Sequence, residues 1–169
     1  MTGWKSRVTL VVAVLLSPAV AAAQGKSGPR ALDACGLATQ VELEAALNKK
    51  VQSRQVPPST PASLGVSHCM WASLNGRQTL SLTTYTPEAL SRTQTKTLAM
   101  YYDSLKTSNA NNAGRPAMVL PGIARHASYF AAAGSASTVL INRHDSIVVI
   151  NLTGLSKEEA TAVARAAGN

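Results

Sequence analysis

The stretch Thr138-Val139-Leu140-Ile141-Asn142-Arg143-His144-Asp145-Ser146-Ile147-Val148-Val149-Ile150-Asn151-Leu152 constrains the fold more than any other part of the chain. Two β-branched runs flank a short polar turn at Arg143 to Asp145, and this pattern predicts a β-hairpin. Both runs are too apolar to face water. Two strands alone are marginally stable, so the hairpin requires further elements laid across its buried face.

The amino terminus reads as an export signal. Lys5 and Arg7 form a positive n-region, and Val8 to Leu16 is an almost unbroken apolar run that Ser17-Pro18 interrupts. Ala21-Ala22-Ala23 then supplies the small residues of a signal-peptidase site, which places cleavage before Gln24. The run is too short for a stable anchor, which takes roughly 20 residues. Leu32-Asp33-Ala34-Cys35 superficially matches a lipoprotein box, but Asp33 fits it badly and Cys35 lies far beyond the apolar run. The expected organisation is a signal peptide over 1–23, a flexible lead over 24–31 and one α+β domain over 32–169, located in the periplasm.

Removing Lys5 and Arg7 lowers the formal charge from +8 to +6. The remaining basic residues are scattered apart from Lys49-Lys50. Outside the cytoplasm such a balance fits an anionic surface, an acidic glycan or an acidic protein partner, although scattered charge also simply solvates a surface. No aromatic-and-basic ladder points to nucleic acid. The two cysteines, Cys35 and Cys69, are expected to pair in an oxidising compartment. The loop so closed corresponds to about 4 kcal/mol in the chain-entropy account. Free thiols, metal ligands and a redox pair are the alternatives, and the CxxC spacing of thiol exchange is absent.

Along the chain, Thr39-Gln40-Val41-Glu42 is a capping box that opens a helix. Its expected apolar stripe is Leu37, Val41, Leu43, Ala45 and Leu47, and its stop is Asn48, which tolerates a left-handed backbone. Pro57-Pro58 and Pro61 impose an extended loop over 53–67. His68 to Leu74 reads as a strand, Asn75-Gly76 as a hairpin turn, and Gln78 to Tyr85 as the returning strand, with Leu80 and Leu82 inward and the threonines outward. A helix starting at Thr86-Pro87 is predicted to reach about Lys106, and Asn109 to Gly114 to terminate it. Met118-Val119-Leu120 is extended at the domain edge, and Ala127 to Ala133 is a strand. After the organising hairpin, Ser156-Lys157-Glu158-Glu159 is a second capping box before a helix that buries Ala160, Val163, Ala164 and Ala167. The fold class is α+β: a single antiparallel sheet of about five strands with helices packed mainly on one face.

The segments Asp33-Ala34-Cys35-Gly36-Leu37-Ala38-Thr39, Val41-Glu42 and Ala45-Ala46-Leu47 resemble the "CxLLT…EVxxALG" opening of small exported bacterial proteins, often lipoproteins, of largely unknown function. Cys69-Met70-Trp71 resembles their "CxW" strand, and Leu120-Pro121-Gly122-Ile123-Ala124-Arg125-His126-Ala127 their "VPGLGDxA" turn. This chain departs from the pattern at Asn48 and Ala124, where glycines are usual, and at Arg125, where an acid is usual. The resemblance covers most of the chain after residue 32 and implies a single antiparallel sheet with packed helices.

Few residues point to chemistry. There is no Gly-x-Ser-x-Gly segment and no glycine-rich phosphate loop, so no catalytic residue and no cofactor is assigned. Glu42, Glu88, Glu158 and Glu159 sit in helix first turns, where capping explains them, and Asp33, Asp103 and Asp145 have no evident partner. A copper site would have to gather His68, Met70, His126 and Met118, without any supporting spacing, so no metal ligand is assigned. A binding surface is better supported. Tyr85, Tyr101 and Tyr129 can bury a ring and keep a hydroxyl wet. Arg125 sits in a turn where it can hold an anionic group, and Arg92, Lys96 or Arg143 can rim the patch. The expected function is a non-enzymatic periplasmic binding or accessory protein that recognises an envelope component or a periplasmic or outer-membrane protein, with room for peripheral contact to an anionic surface. A small envelope hydrolase and a metal-binding carrier are the alternatives.

Overall fold

The computed structural model describes residues 33–54, 65–91, 93, 95 and 97–168. The segments expected to be an export signal and a lead, and most of the proline loop, lie outside the described residues. Seven antiparallel strands form one sheet: β1 (Val51–Arg54), β2 (Val66–Ser73), β3 (Thr79–Tyr85), β4 (Met118–Val119), β5 (His126–Ala131), β6 (Ala136–Asn142) and β7 (Ile147–Thr153). Their order is β1-β2-β3-β7-β6-β5-β4. The helices are α1 (Ala34–Leu37), α2 (Gln40–Leu47), α3 (Pro87–Leu90), α4 (Leu98–Ala113) and α5 (Lys157–Gly168).

The organising hairpin is β6–β7, closed by Arg143 N–H donating to the Ser146 carbonyl at 2.8 Å. Its strand β7 lies at the centre of the sheet and is covered on both sides from Ile147 to Ile150, with Asn151 and Thr153 exposed beyond. Val148, Ile150 and Leu152 join Trp71, Leu80, Leu82, Val139 and Ile141 in a core beneath α2 and α5. Ile147 and Val149 point the other way, into a smaller core with Leu140, Phe130 and Tyr102 of α4. Helices α1, α2 and α5 share one face, against the expectation of helices mainly on one face, and the long α4 covers the other. The long helix α4 needs its own cover because Leu98, Tyr101, Tyr102 and Leu105 share one side of it.

The strand count rises from about five to seven because two short edges join. The first, β1, carries a single apolar residue, Val51, buried against the core. The second, β4, is two residues long, although its edge position matches the sequence reading. Local chemistry explains the other differences. Thr97 caps α4 by accepting the Met100 amide, so the stretch from Pro87 splits into α3 and α4. The second of these runs on through its asparagines to Gly114, whose positive φ closes it. Val41 is 76% exposed, since Leu43 and Leu47 alone fix the buried side of α2. Thr84 is buried on the Leu80–Leu82 side of β3, against the expectation that its threonines face outward. Asn75-Gly76 lies within a longer loop, since Ser73 N–H reaches the Gln78 carbonyl. At Gly154, φ is +73° and an added Cβ would come within 2.8 Å of the Arg77 carbonyl, so only glycine lets this loop meet the end of β7.

Both capping boxes form as expected, at Thr39–Glu42 and Ser156–Glu159. Asn48 takes the left-handed conformation at the end of α2. Cys35 is bonded to Cys69, tying α1 to β2 beside the buried Trp71. Replacing both cysteines by serine should lower stability by about 2–5 kcal/mol. Urea unfolding of the oxidised wild type and the double variant checks this; equal midpoints would show that the bond constrains nothing.

Candidate functional site

A groove of about 340 Å³ runs between α4 and the β4–β5 edge of the sheet. Ala99, Tyr102, Asp103 and Lys106 line it from the helix, and Val119, Arg125, His126 and Asn142 from the sheet side. The helix is pinned there by a hydrogen bond between the Tyr102 hydroxyl and Ser128 Oγ at 2.9 Å. Burial raises the Tyr102 pKa, and the Ser128 contact opposes that shift without overcoming it. Val119 is 73% exposed, so one wall presents an apolar side chain to solvent.

Arg125 reaches this groove through a strained turn. Gly122 and Ala124 both have positive φ, +73° and +45°, and Ala124 is one of only two described non-glycine residues that do. The left-handed region costs a residue with a Cβ about 1–2 kcal/mol. The adjacent Ile123 is 1% exposed and anchors the turn in the core, leaving Arg125 exposed at its end. The glycine usual in the resembling pattern at position 124 thus has a conformational reason, which alanine meets at a cost. Neither Arg125 nor Lys106 makes an ion pair among the described residues.

The other residues that the sequence marks for a binding surface do not gather in this groove. Tyr85 and Tyr101 do meet each other, edge to face at 5.2 Å between ring centres, and both are half-buried. Burial first, and the neighbouring Tyr85 second, push the Tyr101 pKa up to about 12. Tyr129 is only 6% exposed and faces the α2–α5 core, which corrects its expected place on the surface. Its strand alternates, and the register with Val139 turns it inward. Arg92 and Lys96 lie outside the described residues. Arg143 serves the fold, donating from Nη1 to the Ala167 carbonyl at the end of α5. His68 and His126 stand four strands apart, roughly 19 Å at ~4.8 Å per strand, so the copper set is not gathered. No cluster of three metal-ligating side chains occurs among the described residues. Lys106, Asp103 and Val119 carry no motif that marks them for a site; the exposed, polar side of α4 is the one signal the sequence offers.

Searches against family models, curated proteins and solved structures find no match to this chain. No helix among the described residues is long and apolar enough to cross a membrane.

Two outcomes follow from this geometry. Ala124→Gly should be neutral or stabilising by up to about 1 kcal/mol, whereas glycine in a regular element destabilises by a similar amount; thermal unfolding measures it, and a clear loss would deny the left-handed turn. The folded-state pKa of Tyr101 lies above its ordinary value of 10.0. Its contribution is therefore complete below pH 10 and lost as pH rises toward about 12. Urea midpoints across that window should fall less in Tyr101→Phe than in wild type; parallel curves would contradict the shift.

Proposed function

We propose that the chain is a non-enzymatic binding or accessory protein of the bacterial periplasm. It recognises an anionic group on an envelope component or a protein partner through the groove between α4 and the β4–β5 edge. The observation that carries this reading is the presence of Arg125 and Lys106, two cations without ion pairs among the described residues, in one groove beside the exposed Val119. A fixed guanidinium favours carboxylate or phosphate oxygens, and its planar donors can engage two of them together. The apolar wall adds area to be buried by the same partner. Strain at Ala124, next to Arg125, supports the reading, because strained backbone concentrates where a side chain must be aimed.

Asp103 sets the selectivity. It lines the same groove, so a ligand carrying only negative charge meets repulsion at one wall. A ligand with an anionic group next to a neutral or donor group fits better. Among the described residues no hydrogen bond joins His126 to a nucleophile or a carboxylate, so no general-base pair favours the hydrolase alternative over binding.

Photo-crosslinking in living cells tests the reading. A photoreactive residue at position 119 should yield an adduct of defined mass, whereas the same residue at the equally exposed position 41, across the sheet, should not. Arg125→Glu should abolish the adduct. Equal labelling at both positions, or an adduct insensitive to Arg125→Glu, would overturn the groove as the binding site.

A further inference from the structure

The other end of the same strands carries a second surface, independent of the groove. The groove lies where Asn142 pairs with Ile147, whereas β3 and β7 finish in the opposite direction at Thr79 and Thr153. There a shallow basin of about 590 Å³ is lined by Lys49, Lys50, Leu74, Arg77 and Gly154. Leu74, the first residue of the β2–β3 loop, is 65% exposed at this tip of the sheet.

That leucine is displayed on an ordered loop. Asn75 Oδ1 accepts from Ser73 Oγ at 2.7 Å and from the Arg77 amide at 3.0 Å, and Gly76 N–H donates to the Ser73 carbonyl at 2.9 Å. Gln78 Nε2 then ties the loop to the Gly154 carbonyl at 2.8 Å. A rigid loop that shows a large apolar side chain to water gains nothing for the fold from doing so. Around it, Lys49 pairs with Glu159 and Lys50 with Glu44, while Arg77 has no ion pair among the described residues.

We propose that this end of the domain is a peripheral docking surface for an anionic lipid bilayer. An exposed leucine sharing one basin with Arg77, Lys49 and Lys50 matches the layering of such a surface, with phosphate oxygens outermost and hydrocarbon beneath them. Lysine and arginine stems lie along apolar surface while their heads stay at the phosphate level. An acidic protein would complement the cations but would not require a protruding leucine between them. Glu44 and Glu159 temper the local charge, so the contact is weak and reversible, and the positive charge of the whole chain assists approach.

The test is co-sedimentation of the chain, as recovered from its native cells, with two kinds of vesicle. One is phosphatidylcholine alone, and the other is equal parts phosphatidylcholine and phosphatidylglycerol. Binding should be confined to the anionic vesicles and fall with salt. Arg77→Glu should weaken it by roughly tenfold. Leu74→Asp should weaken it comparably, and both positions are exposed enough to leave the fold intact, which unchanged thermal midpoints verify. Arg125→Glu should leave vesicle binding unchanged, so failure here and failure of the groove are separate results. Equal binding to neutral vesicles would overturn the proposal. So would binding that survives both tip variants, or equally tight binding to soluble polyphosphate that ignores Leu74→Asp.

Discussion

Burial of β7 on both of its faces is the constraint on which the rest of the structure depends. A strand at the centre of an antiparallel sheet usually keeps one face wet, and its sequence then alternates. Here Val148, Ile150 and Leu152 fill one core, while Ile147 and Val149 contribute to the other. Full burial of such a side chain stabilises by about 1.5–3 kcal/mol, so exposing either face would forfeit a large share of the roughly 5–15 kcal/mol that holds a domain folded. That requirement places α2 and α5 on one side of the sheet and α4 on the other.

The two cores differ in kind, and the difference positions the proposed binding groove. Beneath α5, alanines and one valine let the helix approach the sheet closely. On the α4 side the contact rests on Tyr102, Phe130, Leu140 and Ile147, and it extends to Tyr85 of β3 through Tyr101. The groove opens between α4 and the β4 edge, beside this contact. Arg125 enters it because the turn before β5 is anchored by the buried Ile123 and bent by two left-handed residues. The cation is thus placed by core packing and backbone geometry rather than by polar partners.

Much of this fold is legible from residues alone, where local chemistry and global need agree. The hairpin, both capping boxes, the disulfide, the buried stripe of α5 and the stop at Asn48 each follow from a single short pattern. The β1 edge is not legible, since Val51 is its one apolar residue, whereas β4 reads as an extended edge segment but is too short to register as a strand. Periodicity does not show the break at Thr97 either, because a capping threonine and an ordinary helix residue look alike until the neighbouring turn is known. For the groove, Arg125 is readable from its turn, whereas Tyr85 and Tyr101, marked for their amphipathic character, meet each other outside it. Tyr129 misleads for the same reason: alternation reveals that a strand has two faces without saying which one water meets. Lys106 and Asp103 gain meaning only when α4 is set against the β4 edge.

Native-state hydrogen exchange, resolved to individual amides, bears most directly on the claim that the doubly covered strand holds the sheet together. If it does, the amides of β7 and its partner β6 exchange last and only through global unfolding, with free energies equal to that from urea. Those of β1 and β4 should exchange earlier, through local opening. Exchange of β7 amides ahead of either edge strand, or at a free energy well below the global value, would contradict the account.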